Sequence, residues 1–196
     1  MREEIRTMIL NSAENGMITT KRISEMGVHR SALRELMDSG DIIRSGRGIY
    51  MIADEWEDDY RLLQKKYARG IYSHGTALYL HGYSERVPLS FHMTFPYGYN
   101  SPSIKKENII LTRVIPDNYE LGLIAVTTPY GNAVNAYNLE RSLCDMMRGS
   151  KEDIQTIQFA MKKYVSSQEK DINRLLMYAR KLRIESKIRN YLEVLL

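Results

Sequence analysis

Four glycines within residues 27–48 constrain this chain more than any other feature. Gly27 and Gly40 bracket a segment whose apolar residues Leu33, Leu36 and Met37 share one helical stripe. Gly46 and Gly48 fall between two β-like runs, Ile42-Ile43-Arg44 and Ile49-Tyr50-Met51-Ile52, and Ser45-Gly46-Arg47 supplies a tight hairpin turn between them. Upstream, Ile5, Met8, Ile9 and Leu10 recur at helical spacing, and Asn15-Gly16 is a stop signal. Thr19 or Thr20 can cap a second helix that contains Ile23 and Met26 and ends at Gly27. The third helix is expected over 29–39, with Gly40 at its C-terminal end. Helix, helix–turn–helix and hairpin in about 52 residues is the layout of a winged helix–turn–helix, predicted over 1–52.

The remainder reads differently. Asp54-Glu55-Trp56-Glu57-Asp58-Asp59 holds five acids in six residues. Acids favour a helix N-terminus, so a helical connector through Tyr60, Leu62, Leu63 and Tyr67 is expected over 53–67. From 68 to 196 a mixed domain is expected. It begins with a short helix over 74–81 and strands over 89–95, 109–114, 123–128 and 132–136, punctuated by Pro88, Pro96, Pro116 and Pro129. From Asn138 the periodicity turns helical: Leu139, Leu143 and Met147 share a face, then Ile154, Ile157, Met161 and Tyr164, then Leu175, Leu176, Tyr178, Leu182 and Ile188. The predicted class is α+β: a winged helix–turn–helix, then a mixed α/β domain ending in a helical bundle.

Composition removes several function classes. No apolar run approaches the roughly 20 residues of a bilayer span, and the charged start Met1-Arg2-Glu3-Glu4 is unlike a signal peptide, so a cytoplasmic protein is expected. A lone cysteine, Cys144, forbids an internal disulfide and argues against structural zinc. Glycine-rich phosphate loops are absent and no cofactor is expected. His74, His81 and His92 are the candidate metal ligands, but no acid cluster or thiol accompanies them, so none is assigned. Ser73-His74 and Cys144-Asp145 are fragments of nucleophile chemistry without a base and orienting acid at recognisable spacing, so the chain is read as no enzyme. Tyr97, Tyr99 and Tyr130 can stack on bases or a partner, or simply pack at strand ends.

The net charge of +4 is compatible with nucleic acid. With Leu33 and Leu36 buried, His29, Arg30, Ser31 and Arg34 face outward as candidate base readers near the start of a recognition helix. Lys21, Arg44 and Arg47 suit phosphate contacts, as does Ser31, and the thin basic turn can lie along the backbone or in the minor groove. Solvated surface charge and a protein-docking role are the competing readings. Arg180, Lys181, Arg183, Lys187 and Arg189 form a second basic surface, either for DNA or a partner or as a solvated face over an apolar stripe.

Certain runs carry a family likeness. Gly27-Val28-His29-Arg30-Ser31-Ala32-Leu33, and Gly40 through Tyr50, are similar to the winged-helix domain of AbiEi antitoxins. Tyr72-Ser73-His74-Gly75-Thr76-Ala77-Leu78-Tyr79-Leu80-His81-Gly82, Phe91-His92-Met93-Thr94-Phe95-Pro96, Pro129-Tyr130-Gly131 and Tyr137-Asn138-Leu139-Glu140-Arg141-Ser142-Leu143-Cys144-Asp145 resemble, in order, that family's C-terminal antitoxin domain. The resemblance spans essentially the whole chain. It implies an antitoxin of a type IV toxin–antitoxin phage-defence (abortive infection) system. Such a protein binds inverted repeats in its own promoter, represses transcription, and counters a nucleotidyltransferase toxin without a stable complex. It implies no catalytic residues. A solitary winged-helix regulator, or a docking module without a toxin partner, is the alternative.

Overall fold

The computed structural model describes residues 3–53, 58–149 and 154–195. The chain divides into two compact units, Met1–Ala68 and Arg69–Leu196. The five acids read as the start of a connector helix fall partly outside the described residues. Asp54, Glu55 and Glu57 lie outside the described residues, as does Trp56, whereas Asp58 and Asp59 lie within them.

In the first unit, α1 (Glu3–Asn11) is followed by β1 (Met17–Thr19), α2 (Thr20–Glu25), α3 (Ser31–Asp38), β2 (Ile42–Gly46), β3 (Ile49–Ile52) and α4 (Asp59–Lys66). The three strands form one antiparallel sheet in the order β1-β3-β2. Thr19 caps α2 by accepting from the Arg22 amide. Both helices of the turn end in a left-handed glycine closed by paired backbone bonds. Val28 N–H reaches the Ile23 carbonyl past Gly27, and Asp41 N–H reaches that of Leu36 past Gly40. Ile9, Ile18, Ile23, Leu33, Leu36 and Ile42 form the core, each worth about 1.5–3 kcal/mol on full burial. An ion pair from Arg6 to Asp41, at 2.6 and 2.9 Å, ties α1 to the end of α3.

Two elements of the first unit differ from the expectation. Residues 17–19 form the strand β1, which lies too short between two helices to show an alternating pattern. The segment read as a connector belongs, through α4, to the first unit. Leu62 packs on Met17, Ile49 and Met51, and Arg61 bonds both the carbonyl and the carboxylate of Glu14.

The second unit contains β4 (Ile71–Tyr72), α5 (His74–Leu80), β5 (Phe91–Pro96), a 3₁₀ turn (Pro102–Lys106), β6 (Ile109–Val114), α6 (Pro116–Tyr119), β7 (Leu123–Thr127) and β8 (Ala133–Tyr137). Four further helices follow: α7 (Leu139–Arg148), α8 (Ile154–Ser166), α9 (Ile172–Lys181) and α10 (Glu185–Leu195). The sheet order is β6-β5-β4-β8-β7, with β5–β6 and β4–β8 parallel and the other pairings antiparallel. Asn138 caps α7, whose residues 140–147 are all buried. Leu143, Met147, Ile157, Met161, Tyr164, Leu175, Leu182 and Ile188 make the helical core that the periodicity pointed to. Among the described residues, no helix is long and apolar enough to cross a membrane.

Candidate nucleic-acid interface

The turn between α2 and α3 sets where the basic residues stand. Because Leu33 and Leu36 face the core, Arg30, Ser31 and Arg34 are exposed, as is His29 just ahead of the helix. The helix begins at Ser31 rather than at 29, and the physical reason is a local cap. The His29 imidazole Nδ1 lies 2.9 Å from Ser31 Oγ and accepts from the Ser31 amide at 3.3 Å. That bond commits Nδ1 and the Ser31 hydroxyl to each other, and leaves Nε2 as the ring nitrogen without a contact to Ser31. Arg30 and Arg34 make no side-chain hydrogen bond or ion pair among the described residues, so their guanidinium groups stand free in solvent.

Besides sheet pairing and core packing, one backbone bond ties the wing to the start of α2. The Thr20 amide donates to the Gly48 carbonyl at 2.9 Å, and Gly48 has φ +75°. A Cβ there would approach Thr20 Oγ1 to 2.7 Å, so this close approach requires glycine. The register shifts between Arg44 and Gly46, a bulge that bends the hairpin tip. Arg44 Nε donates to the Gly46 carbonyl at 3.3 Å and folds over its own turn, while Arg47 is exposed. Lys21 is exposed beside Glu25, 3.8 Å away, a pair of little energetic weight. Arg22, which the sequence reading passed over, stands exposed next to it; its place one turn after the Thr19 cap was the available signal.

The C-terminal basic residues are arranged otherwise. Arg180 and Arg189 both bond Glu185, at 2.9 and 2.7 Å. Lys187 Nζ donates to the Met147 carbonyl at 2.5 Å, at the C-terminal end of α7, where a cation is favoured. Arg183 takes φ +61° in the link between α9 and α10. Lys181 and Arg183 are exposed. Much of this charge is thus engaged in holding the helices.

The histidines do not converge. His74 and His92 have ring centroids 5.0 Å apart, but His81 Nε2 donates to the Tyr137 carbonyl at 2.8 Å. Burial pushes both His74 and His92 down to about 4, and the cations Arg141 and Arg148 further disfavour a charge on His74. Ser73 Oγ lies 3.0 Å from His74 Nδ1 and accepts from Thr94 Oγ1 at 2.9 Å, a buried polar cluster facing cations rather than an orienting carboxylate. Cys144 is buried, with its thiol pushed up to about 12, chiefly by burial. Its neighbour Asp145 is paired with Arg141. No group of three or more His, Cys, Asp or Glu suited to a metal occurs among the described residues. Of the tyrosines, Tyr97 and Tyr130 are exposed, whereas Tyr99 stacks on Phe95 at 4.4 Å.

Residues 6–53 match the family described as transcriptional regulator, AbiEi antitoxin. The likeness to AbiEi antitoxins therefore holds for the winged unit, and the runs quoted from 72–145 lie outside the matched residues. No curated protein sequence matches the chain. Among solved structures it is similar to the crystal structure of the RV2827C protein from Mycobacterium tuberculosis. The TM-score is 0.66 at 17% identity, covering 91% of this chain and 70% of that one, which is a likeness of fold.

Proposed function

We propose that the chain is an antitoxin-type transcriptional regulator that binds inverted repeats in its own promoter and represses transcription. In this reading the second unit counters a nucleotidyltransferase toxin without a stable complex and without catalysis of its own. The observation that carries it is the Thr20–Gly48 bond. It joins the wing, which bears the exposed Arg47 and the turn-bonded Arg44, to the helix–turn–helix that bears Arg30 and Arg34, so both present cations from one small scaffold. A helix of this kind fits the major groove, and a bidentate arginine–guanine contact is worth about 1–3 kcal/mol of discrimination. The wing arginines and Lys21 serve the phosphates, which position without specifying.

The test is Arg30→Ala with Arg34→Ala, titrated against a duplex of the upstream region and against a scrambled duplex. Affinity for the first should fall about tenfold or more per lost contact, and the preference between the two should narrow. Unchanged affinity and preference refute the assignment. For the antitoxin role, a chain beginning at Arg69 should rescue cells that express the neighbouring toxin. Equal rescue by residues 1–60 contradicts it.

A further inference from the structure

The α4 helix lies beyond the residues that match the family, yet it folds onto the winged sheet and brings basic residues to it. Asp58 caps α4 by accepting from the amides of Tyr60 and Arg61, and Tyr60, Leu63 and Tyr67 are buried. This anchoring fixes the exposed last turn. Lys65 there joins Lys21, Arg22 and Arg61 around a surface concavity of about 220 Å³, opposite the carboxylates Glu14 and Glu25. Arg61 is spent on Glu14 at 3.2 Å, and Lys21 is loosely held by Glu25. Arg22 and Lys65 make no ion pair among the described residues, so the concavity keeps two uncompensated cations. The next residue, Lys66, runs its stem alongside the wing at Gly46, where its Cδ would sit 3.9 Å from an added Cβ. Cations from α2 and α4 therefore line one concavity of the first unit.

We propose that α4 is a phosphate grip: Arg22 and Lys65 hold backbone phosphates of duplex DNA, outside the base pairs that α3 would read. The inference rests on the DNA reading above and deepens it. Two unpaired cations beside a polar concavity fit the repeating charge of a nucleic-acid backbone, and they carry no sequence information.

The test uses the full chain, with Arg22→Gln plus Lys65→Gln, against a mixed-sequence duplex and one carrying the upstream region. Each phosphate contact contributes about −0.9 to the slope of log affinity against log salt. The double variant should show a slope shallower by roughly 1.8, weaker binding to both duplexes by the same factor, and an unchanged preference between them. Lys65→Arg should retain the wild-type slope, because only charge at that position matters. Both residues are exposed, so the thermal midpoint should not move. A variant slope equal to the wild-type slope overturns the grip, even where Arg30→Ala with Arg34→Ala still abolishes preference. A wild-type chain that binds neither duplex removes the DNA reading itself.

Discussion

Arg141 is the largest fully buried side chain among the described residues, and replacing it by methionine separates the two units experimentally. Its Nε donates to both oxygens of Asp145 at 3.0 Å, and its Nη1 donates to the carbonyls of Asn118 at 2.7 Å and Leu121 at 3.0 Å. The guanidinium also lies 4.3 Å from the Tyr137 ring centroid. Burial pushes the Asp145 carboxyl up, while Arg141 and, more weakly, Arg148 pull it down, so losing Arg141 leaves a buried carboxyl without its hydrogen-bonded cation. Breaking a buried pair from one side costs about 3–5 kcal/mol. Hydrogen exchange read by mass spectrometry resolves where that loss falls. Amides of α7 should exchange faster by roughly two to three and a half orders of magnitude, at about 1.4 kcal/mol per tenfold. Amides of α3 should keep their rates, and duplex binding should persist while toxin rescue is lost. Because the penalty comes from the stranded carboxylate, adding Asp145→Leu should restore most of the protection. Unchanged α7 exchange in Arg141→Met, or no recovery in the double variant, refutes the reasoning.

Two further outcomes follow from the geometry. Gly48→Ala combines a left-handed backbone, costing about 1–2 kcal/mol, with a contact against Thr20; exchange in β2 and β3 should quicken and duplex affinity should fall, and a wing with native exchange rates contradicts this. His74 is held neutral, its value near 4 lying below the ordinary 6.5, so the unfolded chain binds the proton more readily between those values. Stability of the second unit is therefore fully present above about pH 6.5 and declines as the pH falls towards 4, by at most about 3 kcal/mol from this group; His74→Asn should flatten the decline in a denaturant titration across that range, and an unaltered slope argues against it.

The winged unit was legible because its signals are local. Gly27, Gly40 and Gly48 each take a positive φ that marks a helix end or a turn, and the stripe of Leu33 and Leu36 orients α3 without reference to distant residues. The role of α4 was not legible, because its partners Glu14, Met17 and Met51 are remote in sequence or belong to another element. The strand β4 is two residues long, below the length at which alternation has meaning. The C-terminal basic run looked like a free surface because one carboxylate, Glu185, engages two arginines, and a count of charges cannot show that. The same limit hid the His29–Ser31 cap: the two residues point outward as expected, but part of their hydrogen-bonding capacity is already used.

The brevity of β4 governs how such genes can be recombined. Ile71 and Tyr72 are the middle strand of the second sheet, pairing with Thr94 and Met93 on one side and Ala136 on the other, and they begin just after the first unit ends. A junction placed before Arg69 leaves that sheet whole and lets a different first unit be joined to it. A junction five residues later leaves two separate two-stranded ribbons, β6–β5 and β8–β7, each marginal on its own in water. A junction that keeps both units intact is thereby confined to a few codons between α4 and β4.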